Sequence, residues 1–277
     1  MYRLHLLSIF SPETEHRLCA LAARQGFRPH ASQPGLWLTE DEPDREALLA
    51  ALLPVVRREG IVAALDRPGE WPRAVVFDLD STLIRCEFID ELAAERGIAG
   101  QVRRLTAEAM DGKADFRTSY ARRLKLLEGT PLAVVREVIG RLPLAPGARA
   151  LMDELKRRRI PSAIITGGYR RAGEAVRSRL GIDALYATEL EERGGMLTGG
   201  FASELLDEQG KRAALEDFAR RCGLPLQETA VVGDGANDLK MLARAGTSVL
   251  YDACPPAPAR PQPLDTLLPL FGNPAKR

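Results

Sequence analysis

The 277-residue sequence carries 39 lysine and arginine residues against 38 aspartate and glutamate residues, and 45% of its residues are hydrophobic. This near-neutral balance is typical of an ordinary globular protein, and it excludes a chain that uses a global positive field to bind nucleic acid or an anionic membrane. No apolar run approaches the roughly 20 residues that a membrane-spanning helix needs.

The distribution of histidine and cysteine narrows the chemistry further. All three histidines, His5, His16 and His30, lie in the first 30 residues, so catalysis elsewhere in the chain must use groups other than imidazole. The four cysteines are far apart and form no CxxC pair, which favours reduced thiols over a disulfide framework. The N-terminus lacks a small-residue cleavage site. We therefore expect a cytoplasmic protein.

The first 67 residues are predicted to form a small β/α module, a candidate regulatory unit. Amphipathic spacing predicts helices over Pro12–Gln25 and Asp44–Arg58. Strands are predicted at Tyr2–Phe10, Leu36–Thr39 and Ile61–Leu65. A turn-rich linker, DRPGEWP, follows this module.

From residue 73 onward, short β-rich runs alternate with helical segments. This alternation predicts an α/β fold with a doubly wound parallel sheet, whose catalytic core would comprise residues 73–87 and 144–253. Residues 88–143 are predicted to form a helical cap over the active-site edge, and residues 254–277 a C-terminal tail. A hairpin is predicted within residues 187–203. The predicted core strands are Ala74–Phe77, Ser162–Ile165, Ala184–Ala187, Thr229–Val232 and Thr247–Tyr251.

Two carboxylates, Asp78 and Asp80, follow the first core strand in the stretch VVFDLDSTLI. Side chains two residues apart leave a strand on the same face, so both can address one small volume. Their repulsion calls for a cation, and Mg²⁺ is the usual one where phosphate is also bound. The alternative is a turn in which these carboxylates only cap the next helix.

A second acidic group lies in GDGANDLKML, after the fourth core strand. Gly233 and Gly235 allow close approach of the backbone, and Asp234 and Asp238 can reach a shared metal ion directly or through water. Together with Asn237, these acidic residues exceed what capping of a helix requires.

Two further features favour binding of a phosphate group. Thr166 and two glycines follow the second core strand, where a hydroxyl and successive N–H groups form an anion-binding nest. Lys211 could add a point charge, although either feature alone is weak. With the carboxylates they fit one reaction, in which one aspartate attacks phosphorus and the second protonates the leaving group.

The stretches DLDST, TGG, Lys211 and GDGANDLKML, in this order, resemble the four motifs of the haloacid dehalogenase superfamily from about Ala74 to Tyr251. Within that superfamily, FDLDSTLIRCEFIDELA, AMDGKADF, LPLAPG and ATELE resemble the phosphoserine phosphatase family. The resemblance implies Asp78 as the nucleophile and Asp80 as the general acid and base.

The resemblance also implies a set of ligands. Mg²⁺ would be bound by Asp78, the main-chain carbonyl of Asp80 and Asp234, with support from Asp238. The phosphate-binding residues that it implies are Thr166, Gly167 and Lys211, with Asn237 ordering their network.

Recognition of the serine part falls on the cap, again by resemblance. Glu87 would meet the substrate ammonium and Arg123 its carboxylate, for which a guanidinium is well shaped. Met110 and Phe116 would pack over the substrate. Arg122 is the close competitor of Arg123 for the carboxylate.

The function implied is Mg²⁺-dependent hydrolysis of O-phospho-L-serine through an aspartyl-phosphate, a step of serine biosynthesis. The alternatives are a phosphotransferase that passes the phosphoryl group to an alcohol such as homoserine, and a non-catalytic binding protein on the same fold. The expected partner is a small phosphomonoester, without nucleic acid or membrane, and a homodimer is left open.

Overall fold

The computed structural model describes residues 1–7, 10–110, 116–256 and 259–272, with the side chains of residues 106–110 and 116 left out. Its strands in chain order are β1 (Tyr2–Leu6), β2 (Arg28–Pro29), β3 (Leu36–Thr39), β4 (Ala63–Asp66), β5 (Ala74–Phe77), β6 (Ser162–Tyr169), β7 (Ala184–Thr188), β8 (Leu190–Arg193), β9 (Met196–Phe201), β10 (Thr229–Gly233) and β11 (Thr247–Leu250).

Helices cover the strands on both sides. The α-helices are α1 (Pro12–Ala23), α2 (Arg45–Glu59), α3 (Phe88–Glu95), α4 (Ala99–Met110), α5 (Phe116–Lys125), α6 (Leu132–Gly140), α7 (Ala148–Arg157), α8 (Arg170–Leu180), α9 (Glu208–Arg221) and α10 (Leu239–Arg244). In the described part of the chain, no helix is both long and apolar enough to cross a lipid bilayer.

The part of the sheet formed after residue 73 is parallel. Nine strands form one sheet in the order β2-β3-β1-β4-β11-β10-β5-β6-β7, and those from β11 to β7 pair in parallel. Every residue of β5 and β10 is buried, because helices pack on both faces of the sheet. Burial on both faces explains why these strands are rich in apolar residues rather than alternating. The predicted doubly wound parallel sheet is confirmed.

The N-terminal strands extend this same sheet. β4 runs antiparallel to β11, with Leu65 opposite Ser248 and Ala63 opposite Leu250. The Arg45 side chain, from α2, donates hydrogen bonds to Ala245 O at 2.6 Å and Ser248 Oγ at 2.7 Å. The sequence does not predict this junction, and the division of the chain at residue 67 stays a prediction.

Helices α3 to α6, called the cap below, pack against the hairpin β8–β9, and the assignment of residues 88–143 as a cap domain stays a prediction. The hairpin β8–β9 lies within residues 187–203, as the sequence predicts. It turns at Gly194 and Gly195, which have φ of 58° and 77°. It packs on the cap through the stacked rings of Tyr120 and Phe201, whose centroids lie 5.8 Å apart.

The main differences from the predicted elements are a shorter first strand, a longer β6 and an additional helix in the tail. β1 ends at Leu6 rather than Phe10. β6 continues to Tyr169, because its ladder with β7 resumes there after a register shift. The tail contains an unpredicted 3-10 helix at Leu264–Phe271, which buries four apolar side chains against the core: Leu264, Leu267, Leu270 and Phe271.

Candidate active site

Three carboxylates meet at the carboxyl end of the sheet. Asp78 directly follows β5, Asp234 directly follows β10, and Asp238 lies on the 3-10 turn that comes next. One oxygen from each carboxylate lies within 4.8 Å of the others, and all three residues are buried. Because the ends of neighbouring parallel strands share one edge, the fold brings together residues that are distant in sequence.

Lys211 lies between two of these carboxylates. The Asp207 side chain caps α9, and Lys211 extends from its first turns. Its Nζ lies 2.8 Å from Asp78 Oδ1 and 2.8 Å from Asp238 Oδ1, and its side chain is fully buried. Burial lowers the pKa of Lys211, but the two carboxylates outweigh it and raise the pKa above the usual value.

Lys211 alone does not neutralise the negative charge of the three carboxylates. Burial, and then the negative charge of Asp238, raises the pKa of Asp78 to about 7 against the opposing charge of Lys211. Burial, followed by Asp238 and Asp78, raises the pKa of Asp234 well above its usual value, while Arg57 opposes the shift. Three ionised carboxylates with one ammonium leave two negative charges, which fits a divalent cation held by oxygen ligands.

Asp80 also has partners outside this cluster. It is half-buried, and its Oδ1 accepts a hydrogen bond from Phe88 N, the first residue of α3, at 2.8 Å. Burial, and then the charge of Glu87, raises the pKa of Asp80 well above its usual value. The helix-capping alternative therefore describes part of what Asp80 does, but not Asp78. A contribution of Asp80 to metal binding stays a prediction.

The Thr166 stretch lies against Asp80. Thr166 is 1% exposed, and its Oγ1 accepts a hydrogen bond from Gly168 N at 2.8 Å. A Cβ at Gly168 would lie 2.6 Å from Asp80 Oδ2 and 3.0 Å from Thr166 Oγ1. Sequence reasoning assigned Gly167 and missed Gly168, although the second glycine of TGG was the available signal. Gly167 is also buried here.

The turn after β10 is held by Asp238 itself. Its Oδ2 accepts a hydrogen bond from Gly235 N at 3.0 Å, while Oδ1 accepts from Lys211. A Cβ at Gly233 would lie 2.6 Å from Asp238 Oδ2, and one at Gly235 would lie 2.2 Å from Asn237 Oδ1. A side chain at Gly233 would collide with most of the Asp238 side chain, including its Cβ at 3.0 Å, whereas the clash at Gly235 involves only the end of the Asn237 side chain.

The two hydroxyls after Asp80 hold neighbouring carboxylates. Ser81 Oγ donates to Glu87 Oε1 at 2.9 Å, and Thr82 Oγ1 donates to Asp234 Oδ1 at 3.3 Å. Ser81 has a φ of 54°, a left-handed conformation that is uncommon outside glycine. Neither hydroxyl was assigned a functional role from the sequence.

The cap supplies a buried arginine. Arg123 is 8% exposed, whereas Arg122 is exposed, so the geometry favours Arg123 over its competitor. Its guanidinium carbon lies 5.5 Å from the centroid of the Tyr120 ring, and Tyr120 is also buried. Among the described residues, Arg123 Nε has no hydrogen-bond partner. Glu87 is exposed at the N-cap position of α3 and does not cap that helix with its side chain.

Two predicted substrate contacts lie outside the described side chains. Met110 ends α4 and Phe116 begins α5. The structure describes their backbone only, so their packing over a substrate stays a prediction.

Comparison with protein families matches residues 72–246 to the haloacid dehalogenase-like hydrolases. A phosphoserine phosphatase of Mycobacterium tuberculosis is 40% identical over 211 residues, which cover 75% of this chain and 52% of that relative. A phosphoserine phosphatase of Methanocaldococcus jannaschii is 38% identical over 183 residues, which cover 66% of this chain and 87% of the relative. The chain spans about half the length of several of its relatives.

A solved structure is similar over the same region. It is described as a phospho-aspartyl intermediate analogue of phosphoserine phosphatase, with a TM-score of 0.60 and 38% identity, and the match covers 64% of this chain and 85% of that one.

Proposed function

Because the chain belongs to the haloacid dehalogenase-like hydrolases, and to the phosphoserine phosphatase family among them, we propose that it hydrolyses O-phospho-L-serine to L-serine and phosphate with Mg²⁺. The observation that carries the proposal is the buried group of Asp78, Asp234 and Asp238 with Lys211 between two of its members. This group leaves a negative charge that a divalent cation would balance.

Asp78, Asp234 and Asp238 would hold the ion. When bound, Mg²⁺ supplies positive charge that offsets the phosphate dianion and favours the ionised carboxylates. The Lys211 ammonium remains protonated at neutral pH, because its pKa is raised. It would add a fixed positive charge beside the phosphate, to which the Thr166 hydroxyl and the Gly167 N–H would donate hydrogen bonds.

Asp78 would act as the nucleophile. One of its carboxylate oxygens attacks phosphorus, the bond between phosphorus and the serine oxygen breaks, and an aspartyl-phosphate forms on Asp78. Asp80 donates a proton to the leaving serine oxygen. This role is supported by its raised pKa, which keeps the carboxyl protonated where an ordinary aspartate would be ionised.

The second half of the reaction would restore the enzyme. Asp80, now ionised, takes a proton from a water molecule whose oxygen attacks phosphorus, and the bond between phosphorus and Asp78 breaks. Phosphate leaves and Asp78 returns to its carboxylate form.

The cap would select the amino acid. The buried Arg123 guanidinium, with Nε unpaired among the described residues, suits the substrate carboxylate. Glu87, held by the Ser81 hydroxyl, suits the substrate ammonium. A substrate with one anionic and one cationic group would satisfy both residues.

A comparison of three substrates tests this proposal. We expect kcat/KM for O-phospho-L-serine to exceed the value for phosphoethanolamine, which lacks the carboxylate, and for 3-phosphooxypropanoate, which lacks the ammonium. Hydrogen bonds to charged groups contribute about 1.5–3 kcal/mol each, so each loss should be roughly 10- to 150-fold. Equal values for all three substrates would contradict the amino-acid assignment.

We also propose a cytoplasmic location, which is supported by the four cysteines being free thiols. A homodimer stays a prediction.

A further inference from the structure

We infer that Arg57, in the predicted N-terminal module, is a positioning residue for the active site. It would hold the turn at residues 251–254 against the loop that carries Asp78 and Asp80. The kinetic test of this inference rests on the proposed function. The structural support comes from the contacts that Arg57 and the active-site loop make with the two sides of the turn.

The first contact joins α2 to the turn. Arg57 lies in the last turn of α2, and its Nε lies 3.5 Å from Asp252 Oδ2. The Asp252 side chain is only 2% exposed, while that of Arg57 is 44% exposed. A buried carboxylate is costly unless it is paired and hydrogen-bonded. Asp252 meets both conditions, because its Oδ1 also accepts a hydrogen bond from Cys254 N at 2.6 Å.

The second set of contacts joins the turn to the active site. Ala253 N donates to Ser81 O at 2.6 Å, and Tyr251 N donates to Gly233 O at 3.0 Å. The turn therefore supports the residue after Asp80 and the residue before Asp234. A shift of the turn would move both halves of the site together.

The hydrogen bond from the turn to Ser81 is important because Ser81 has a strained backbone conformation. Its φ of 54° is a strained conformation for a residue with a Cβ, which persists only when surrounding contacts hold it. The same residue positions the Glu87 carboxylate through its hydroxyl. Loss of the hydrogen bond from Ala253 would therefore affect both the acid–base loop and the proposed ammonium partner.

A further contact places the end of α2 on the same segment. Gly60 ends α2 with a φ of 63°, and a Cβ there would lie 3.0 Å from Arg260 O and 3.2 Å from Pro255 Cγ. The helix end is thus packed closely on the chain that follows the turn. Arg57 is therefore held in place by a closely packed helix end, and it pairs with Asp252, the only carboxylate of the turn.

Kinetics of matched variants test the inference. Arg58 lies in the same helical turn and pairs with Glu59 at 2.9 Å, so Arg58→Ala is the control. We expect Arg57→Ala to lower kcat/KM for O-phospho-L-serine about fivefold, as loss of a half-exposed ion pair would. Arg57→Lys should recover most of this loss, and Arg58→Ala should match the wild type. An Arg57→Ala variant as active as Arg58→Ala would overturn the inference.

A double-mutant cycle separates positioning from general destabilisation. Asp252→Asn removes the charge that Arg57 contacts, so Arg57→Ala should cause no further loss in that background. Additive losses would mean that Arg57 acts elsewhere, which contradicts the inference.

Hydrogen exchange provides a readout that does not depend on the substrate. Residues 79–88 should exchange faster in Arg57→Ala than in Arg58→Ala, whatever the enzyme hydrolyses. A wild-type protein inactive on phosphoserine would refute the proposed function, while unchanged exchange in Arg57→Ala would refute the role of Arg57.

Discussion

At the sheet edge, the Lys211 ammonium lies 2.8 Å from both Asp78 and Asp238, whereas in the cap Arg123 Nε has no hydrogen-bond partner among the described residues. Both cations are buried, so exposure does not explain the difference. The edge holds fixed partners on adjacent strands and turns. The cap holds a buried guanidinium with donor capacity still available.

This difference distinguishes the residues proposed to catalyse phosphoryl transfer from those proposed to recognise the amino acid. The charged groups proposed to act on the phosphoryl group are arranged by the chain itself and need no substrate to order them. The groups proposed to recognise the amino acid leave positions that a carboxylate and an ammonium would complete. Changes at the edge should therefore affect every phosphomonoester, and changes in the cap should affect phosphoserine selectively.

The largest effect is expected from Asp78→Asn, which removes the proposed nucleophile while keeping its shape. Turnover should fall on the order of 10⁴-fold or more for phosphoserine and for an aryl phosphate alike. Phosphate release by a sample checked for deamidation by mass spectrometry measures this. Asp153→Asn, at an exposed position on α7, is the control. Substantial turnover by Asp78→Asn would remove Asp78 from the nucleophilic role.

Asp80→Asn should distinguish two kinds of leaving group. General acid catalysis contributes about 10²- to 10⁴-fold. The loss should be near this range for phosphoserine, whose alkoxide needs a proton, and smaller for p-nitrophenyl phosphate, whose leaving group does not. The comparison uses kcat/KM, which reports the steps up to departure of the leaving group, because Asp80 also serves the hydrolysis of the aspartyl-phosphate that both substrates share. An equal loss would indicate that Asp80 acts by holding the site together rather than by donating a proton.

Arg123→Ala should sharpen the contrast from the cap side. Removing a charged hydrogen bond to the substrate carboxylate should lower kcat/KM for phosphoserine by roughly 10- to 150-fold, with little change for an aryl phosphate. Arg122→Ala, one residue away and exposed, should leave both values near wild type. If Arg122→Ala showed the larger selective loss, the assignment would pass to Arg122.

Metal removal should matter more as the pH rises. The pKa of Asp78 is raised to about 7 and that of Asp234 is raised well above its usual value. The folded protein therefore binds more protons than the unfolded chain at pH values between the ordinary aspartate pKa and the raised one. Without metal, this contribution to stability is greatest at low pH and is lost as the pH rises through about 7.

Mg²⁺ would bind the ionised form, so its stabilisation should grow over the same range. At about a hundred times the dissociation constant it adds roughly 2.7 kcal/mol. The Tm measured with Mg²⁺ should exceed the Tm measured with EDTA by more at about pH 8 than at about pH 5. In Asp234→Asn the pH dependence of this difference should be weaker. A difference that shrinks as the pH rises would contradict the assignment of these carboxylates as ligands.

The sequence predicts the edge of the sheet well, for a physical reason. Strand ends in a parallel sheet converge on one edge, so residues at the predicted ends of neighbouring core strands can be placed together from the strand predictions alone. Asp78 and Asp234 directly follow β5 and β10, and Thr166 follows the predicted end of the second core strand, although β6 itself continues to Tyr169. Lys211 does not lie at a strand end, and only the order of the family motifs linked it to the site.

The orientation of Asp80 could not be predicted in the same way. The expectation that Asp78 and Asp80 share a face assumes a regular strand, but β5 ends at Phe77. Asp80 therefore turns towards Phe88 N and Gly168. The alternation rule applies only while the ladder continues.

Contacts between distant segments could not be predicted either. The pairing of β4 with β11, and the contact of Arg57 with Asp252, depend on how whole elements pack. The choice between Arg122 and Arg123 has the same origin. Neighbouring residues on a helix point about 100° apart, and only packing shows which of them faces inwards.

The most direct test of the account is phosphate release from O-phospho-L-serine with Mg²⁺ and with EDTA, in the presence and absence of homoserine. The account predicts release that requires Mg²⁺ and is indifferent to homoserine. Formation of phosphohomoserine at the expense of free phosphate, or no release in any condition, would contradict it.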